Sequence, residues 1–257
     1  VLTLTDEGKA SFVYQPGLMS RLTADMRLTA DEARAFGRQH SICCACGQLL
    51  EDDRSIAAAL FHKRAQNLLD ANDVVNAIED LDQSLKLKPD QAEVLCLRGM
   101  ALLAYGEEQK ALDDFIRAAE LDPGDYQPLF EQGRIYARQG NYAKALELYE
   151  AAVALKPEDP DPYNGLVWLL ATCPDPALRN GEKALEAGRT MLDMTGEDDP
   201  FYLDTMAAAY AEAGLFDQAV AAQSKSIRIL TRTGQELYPG SRERLELFQQ
   251  NATYREP

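Results

Sequence analysis

Three cysteines lie within four positions near residue 45, and they are the side chains best suited to bind a metal ion. Cys43 and Cys46 form a Cys-x-x-Cys-Gly motif, with Cys44 between them and His40 just before. Zinc prefers a tetrahedral set of four thiolate and imidazole ligands. His40, Cys43 and Cys46 would supply three ligands, with Cys44 or His62 as the fourth. The alternative is a group of reduced thiols that hold no ion.

No enzyme signature accompanies this motif. With only His40 and His62 in the chain, there is no His-Glu-x-x-His pair and little scope for a Ser-His-Asp triad. A glycine-rich loop of the kind that holds phosphates is also missing from the sequence. The acidic pairs, such as Asp113-Asp114, are typical of solvated helix faces rather than of catalytic carboxylates. We therefore expect a protein that is not an enzyme.

Composition excludes several classes of partner. The 257 residues contain 42 acidic and 26 basic side chains, a net charge of −16. Nucleic acid is not expected as a partner, because phosphate backbones are held mainly by Lys and Arg. No apolar run in the sequence reaches the roughly 18 residues of a membrane-spanning helix, and no secretory signal is visible. Five cysteines do not make a disulfide framework, so we expect a cytoplasmic protein without membrane contact.

The elements that must position these residues repeat every 34 positions. Segments 58–91, 92–125 and 126–159 align without gaps, and each ends in a Leu-x-Pro tripeptide. Three columns of this alignment hold small residues, namely Ala65, Gly99 and Gly133; Ala77, Ala111 and Ala145; and Ser84, Ala118 and Ala152. A fourth column holds the large residues Leu81, Phe115 and Tyr149. Helical apolar spacing, a break near each middle and the terminal Pro predict two antiparallel helices per segment. Such pairs must stack, because one pair cannot bury its apolar face alone.

This pattern of small residues and terminal Pro resembles the tetratricopeptide repeat (TPR) of bacterial proteins. The resemblance implies an all-α, right-handed superhelical solenoid of helix-turn-helix repeats. Two further units, 160–199 and 200–233, follow with departures, the first through an expanded turn at 172–180. Region 234–257 is expected to hold a linker, a capping helix with Ser241 as its N-cap, and a trailing end from Ala252.

Residues 1–57 do not share the period and predict a small mixed α/β region. Short strands are expected at 1–5 and 11–14, and a helix at 30–38. The cysteine motif resembles a cysteine-motif domain of unknown function from phage and actinobacterial proteins. In those domains a later Cys completes the motif, and that Cys is missing from this sequence.

In the TPR family the first helix of each repeat lines the concave face, which implies a site for a protein or peptide partner. Exposed apolar groups there suit an extended or helical peptide, and Arg134 and Arg138 suit carboxylates. The alternative is that some of these residues, above all Trp168, pack against the expanded turn. The predicted contact residues are His62, Gln66, Met100, Leu103, Phe130, Arg134, Arg138, Asn164 and Trp168, with Cys96, Asp204 and Glu212 also left free for a partner.

The clamp by which chaperone-tail receptors hold a terminal carboxylate is not expected. It needs Lys and Asn on the first repeat, Asn on the second and a Lys/Arg pair on the third. The matching positions hold His62, Gln66, Leu97, Gln127 and Glu131. The sequence thus predicts a protein–protein interaction scaffold. The alternatives are a zinc-binding or nucleic-acid-associated adaptor acting through the cysteines, and an accessory module of a separately encoded enzyme.

Overall fold

A computed structural model describes residues 2–4, 10–12, 53–196 and 198–256. Strands β1 (Leu2–Leu4) and β2 (Ala10–Phe12) pair antiparallel, with Thr3 opposite Ser11. The predicted helix at 30–38 and the cysteine motif lie outside the described residues. The chain divides into two units, of which unit 1 ends at Leu121 and unit 2 begins at Asp122.

The described residues of unit 1 include two helical hairpins. Their helices are α1 (Asp53–Asp70), α2 (Val74–Leu87), α3 (Ala92–Tyr105) and α4 (Glu108–Leu121). The hairpins are α1–α2 and α3–α4, and α2 packs against α3. Gly106, in the left-handed region with a φ of 92°, ends α3, where Gly carries no Cβ penalty.

Unit 2 contains three hairpins and a covering helix. Its helices are α5 (Gln127–Arg138), α6 (Tyr142–Leu155), α7 (Pro160–Thr172), α8 (Gly181–Thr195), α9 (Pro200–Glu212), α10 (Phe216–Thr233) and α11 (Ser241–Gln249). The hairpins are α5–α6, α7–α8 and α9–α10, and α7 packs against α9. Among the described residues no helix is both long and apolar enough to cross a membrane. The all-α helical-hairpin fold is as predicted.

The small and large residues that recur in the sequence pack against each other. A Cβ on Gly99 would lie 2.7 Å from the Phe115 ring, and one on Gly133 would lie 2.7 Å from the Tyr149 ring. Both rings are buried, at 0% and 5% exposure. At Gly99 and Gly133 the first helix of the hairpin therefore approaches the second so closely that a side chain would clash with the ring.

Buried ion pairs recur in unit 1 at equivalent places. Arg98 holds both oxygens of Asp114, at 2.6 and 2.7 Å, and Arg64 holds Asp80 in the same bidentate way. Asp80 and Asp114 are only 3% and 6% exposed. The expectation that Asp114 is a solvated charge is therefore wrong, because its helix face is turned toward the arginine of the preceding helix.

Helix α11 covers unit 2 in the way predicted, but its start differs. Phe248 is fully buried, and α11 packs on α10 and α9. Gly240, with a φ of 74°, is the N-cap, so the prediction of Ser241 is wrong. Ser241 is the first helical residue, and its buried hydroxyl donates to Asp204 Oδ1 at 3.2 Å.

Candidate functional site

Unit 2 carries an open cavity of about 380 Å³ between its first helices α5, α7 and α9. We call it the unit 2 groove. Its lining residues are Phe130, Arg134, Ala137, Tyr149, Asp161, Asn164, Gly165, Trp168, Leu169, Phe201 and Glu256.

Two hydrogen bonds between tyrosine and aspartate set the spacing of the helices around this groove. Tyr126, before α5, donates to Asp159 Oδ2 at 2.7 Å, and Tyr202, on α9, donates to Asp161 Oδ1 at 2.8 Å. Burial, followed by these hydrogen bonds, raises the pKa of both tyrosines above the ordinary value. Both hydroxyls therefore stay protonated and keep donating at neutral pH.

The walls of the groove are aromatic. The Phe130 and Tyr149 ring centroids lie 5.9 Å apart in a tilted arrangement. A Cβ on Gly165 would lie 2.9 Å from the Tyr149 ring, so the glycine lets this ring reach α7. Phe201 is 44% exposed, and its ring meets those of Tyr202 and Tyr238 edge-on. Apolar surface is therefore offered to a ligand from α5, α6 and α9.

Arg134 and Asn164 provide polar groups in the groove that a ligand can contact. The Arg134 side chain is 53% exposed, lies over the Phe130 ring and binds Glu131 Oε2 at 3.0 Å. A guanidinium has five N–H donors, so this single ion pair leaves donors for an anionic group. Asn164 Oδ1 is buried and receives no hydrogen bond from the described residues. It can accept an N–H from a ligand, because buried polar atoms otherwise find partners.

Trp168 is engaged by the segment that follows α11. Its indole N–H donates to the Glu256 carboxylate, and its ring lies 6.0 Å from that of Tyr254. The Arg244 guanidinium lies 5.2 Å from the Trp168 ring and 5.3 Å from the Tyr254 ring. Trp168 thus packs against Tyr254 and Glu256 after α11 and against Arg244 of α11.

Residues 252–256, which we call the return segment, lie along the end of α7. The Glu256 N–H donates to the Thr172 carbonyl at 3.0 Å, and Arg255 donates to the Ala171 carbonyl at 3.2 Å. Arg255 also pairs with Glu212 at 2.7 Å, and Glu212 accepts from Arg179 at 3.1 Å. The expectation of a trailing end is wrong for these residues, and Glu212 is not left free for a partner.

Two other residues assigned to the free surface are buried. Cys96 is 7% exposed and Asp204 5%. Both Asp204 oxygens are held by Arg244, at 2.6 and 2.9 Å, and Gln223 donates to Oδ1 at 2.6 Å. Both assignments are wrong, because neighbouring helices cover this face of α3 and α9.

The candidate residues of unit 1 lie on its helices α1 and α3. His62 Nε2 lies 3.1 Å from Gln66 Nε2 and 3.9 Å from Glu93 Oε1. Burial lowers the pKa of His62, an effect that Glu93 partly offsets. Met100 is 43% exposed, and Leu103 is half-buried.

Four of the predicted contact residues meet around one cavity: Phe130, Arg134, Asn164 and Trp168. Arg138 is exposed on α5 and lies outside the lining. Sequence reasoning missed Tyr149, Asp161, Gly165, Phe201 and Glu256, although the exposed Phe201 stands one residue after the start of a first helix. Within residues 53–196 and 198–256 no group of three or more His, Cys, Asp or Glu could hold a metal. The proposed ligands His40, Cys43 and Cys46 lie outside the described residues, and zinc binding stays a prediction.

Helical hairpins that recur with one period and one close-packed small residue define a helical repeat protein. A family model described as "Tetratricopeptide repeat" matches residues 62–128, and one described as "TPR repeat" matches residues 133–166. The chain therefore contains tetratricopeptide repeats within these two matched stretches.

Solved structures share this fold. MamA from Desulfovibrio magneticus RS-1 is 22% identical with a TM-score of 0.58, over 72% of this chain and 98% of that one. YrrB, described as a TPR protein with an unusual peptide-binding site, is 17% identical with a TM-score of 0.56, over 76% and 92% of the two chains. At these identities the likeness concerns the fold alone. The sequence matches no curated protein.

Proposed function

We propose that this chain is a non-enzymatic interaction protein that binds a peptide segment of a partner protein in the unit 2 groove. The observation that carries the proposal is the presence of three complementary contacts in one cavity. The half-buried Phe130 ring and the exposed Phe201 ring suit apolar side chains, Arg134 suits a carboxylate, and Asn164 Oδ1 suits a backbone N–H. The fold shared with YrrB supports it, since that protein is described as binding a peptide.

The chemistry of the lining favours binding over catalysis. The residues that line the cavity include no Ser, Thr, Cys or His, so the pair of a Ser or Cys nucleophile with a His base is missing from the lining. Asp161 is held by Tyr202 and Glu256 by Trp168. Each carboxylate of the lining therefore has a structural partner, an arrangement that suits a binding surface.

Affinity capture from the native host tests the proposal. A variant with Phe130→Ala and Arg134→Glu is expected to lose capture of the partner by about thirtyfold or more, since even one aromatic or Arg anchor contributes about 2 kcal/mol or more where it is a hot spot. A matched control changes Tyr105→Ala, 57% exposed on α3, and Arg228→Glu, exposed on α10.

The control variant is expected to capture as the parent does, and circular dichroism should show both variants helical. Equal capture by the groove variant and the parent would place the binding surface elsewhere.

A further inference from the structure

We infer that the return segment is a built-in ligand of the unit 2 groove, and that the partner peptide displaces it with an aromatic residue followed two positions later by a carboxylate. The inference rests on the proposed function, since it names the partner chemistry and the regulation of the same groove. Its basis is that Tyr254 and Glu256 both bind Trp168, and that Glu256 itself lines the cavity.

The aromatic part of this site is fixed in place before any ligand binds it. Trp168 is on α7, and Arg244 lies 5.2 Å from its ring. Arg244 is held by Asp204 and is only 3% exposed, so the cation does not leave with the return segment. An aromatic ligand side chain in the place of Tyr254 would meet the same tryptophan and the same guanidinium, contacts that suit Tyr, Phe or Trp.

The backbone contact is one that an extended peptide of any sequence can make. The carbonyls of the last turn of a helix lack partners within that helix. At the end of α7 the Thr172 carbonyl accepts from the Glu256 backbone N–H, which any residue other than Pro can supply, whereas the Ala171 carbonyl accepts from the Arg255 side chain. The remaining contact is specific, because the indole N–H of Trp168 donates to the Glu256 carboxylate.

When the return segment leaves, the charged and apolar groups beneath it keep most of their other partners. Glu212 keeps the guanidinium of Arg179 at 3.1 Å when Arg255 departs. Helix α11 keeps its own anchors, the fully buried Phe248 and the pair of Arg244 with Asp204. Glu256 is exposed, and Tyr254 and Arg255 are half-buried. The segment is therefore suited to exchange with a ligand while the helices beneath it stay packed.

The test uses Trp168, the single tryptophan of the chain, and the synthetic peptide Asn-Ala-Thr-Tyr-Arg-Glu-Pro, which copies residues 251–257. In a variant that stops at Asn251, Trp168 emission is expected to shift to the red, and the peptide is expected to reverse the shift saturably. The parent chain is expected to bind the peptide about tenfold more weakly or worse, because a short tether gives its own segment a millimolar effective concentration. The control peptide carries Ala for Tyr and Gln for Glu and is expected to bind neither chain.

A parent chain carrying Tyr254→Ala and Glu256→Gln provides the same test without shortening the chain, and it is expected to bind the peptide as the shortened variant does. Unchanged Trp168 emission in both variants, or equal binding of the peptide to parent and variants, would overturn the inference.

Partner capture separates this inference from the proposed function. The first case is that the shortened chain and the Tyr254→Ala, Glu256→Gln chain capture the host partner no better than the parent, while Phe130→Ala with Arg134→Glu abolishes capture. The groove then binds the partner as proposed, but the return segment does not compete for it. If the peptide binds as expected but the groove variant captures normally, the self-docking stands and the proposed function fails.

Discussion

The ion pair between Arg244 and Asp204 offers the sharpest test of how unit 2 is held together. Arg244 is 3% exposed, and its Nη2 lies 2.6 and 2.9 Å from the two Asp204 oxygens. Arg244→Met removes the cation and leaves a buried carboxylate, which costs about 3–5 kcal/mol of unfolding free energy. It also removes the contacts with the Trp168 and Tyr254 rings, worth about 1 kcal/mol more. We expect a total loss of about 4–6 kcal/mol.

The assay is urea unfolding followed by circular dichroism and by Trp168 fluorescence. Lys144→Met is the control, because Lys144 pairs with Glu147 at 3.0 Å while the two side chains are 48% and 69% exposed. Such a surface pair contributes about 0–1 kcal/mol.

The double variant Arg244→Met with Asp204→Leu completes a mutant cycle. It is expected to be less destabilised than the sum of the single variants by about 0.5–3 kcal/mol, since neither charge is then left alone. A cost for Arg244→Met within 1 kcal/mol of the Lys144→Met value, or additive effects in the cycle, would refute the reasoning.

Three further predictions concern packing, protonation and metal. Gly99→Ala is expected to lower the unfolding free energy measured in urea by about 1–3 kcal/mol, because its Cβ would meet the Phe115 ring. The added change Phe115→Leu should restore part of the lost free energy. No restoration would contradict the proposed contact between residue 99 and the ring. Burial lowers the pKa of His62 below 6.5, so the unfolded state takes up the proton first and stability falls as pH drops below 6.5. His62→Gln should make the unfolding free energy depend less on pH between about 7.5 and 5.5. Equal slopes of unfolding free energy against pH for parent and variant would contradict this prediction. If the cysteine motif binds zinc, elemental analysis will find one ion per chain that is lost in Cys43→Ser, whereas metal-free parent protein would favour reduced thiols.

The sequence predicted the hairpins and their packing because these depend on local spacing. The period of 34 residues places Gly99 against Phe115 and Gly133 against Tyr149, and both contacts are present. A signal for the buried ion pairs was also available, since Arg64–Asp80 and Arg98–Asp114 share a separation of 16 residues.

What could not be predicted depends on contacts between residues far apart in the chain. Arg244 meets Asp204 across 40 positions, and Glu256 meets Trp168 across 88. Nothing in the local sequence of residues 252–256 indicates that the chain turns back after α11 and lies against α7. Contacts of this kind also hold Asp204, through Arg244, and Glu212, through Arg255, although sequence reasoning had left both free for a partner.

The recurring Arg–Asp pairs of unit 1 constrain how this array can be recombined. The positions of Arg98 and Asp114 correspond, one period later, to Gln132 and Leu148, so one hairpin has a charged pair of residues where the next has an uncharged pair. An exchange of whole hairpins, with the junctions in the loops between them, transfers Arg98 together with Asp114, or Gln132 together with Leu148. A crossover inside a hairpin could instead place an aspartate buried like Asp114 opposite a glutamine and leave its charge without a cation. Libraries of chimeric arrays built from this protein should therefore place their junctions between hairpins.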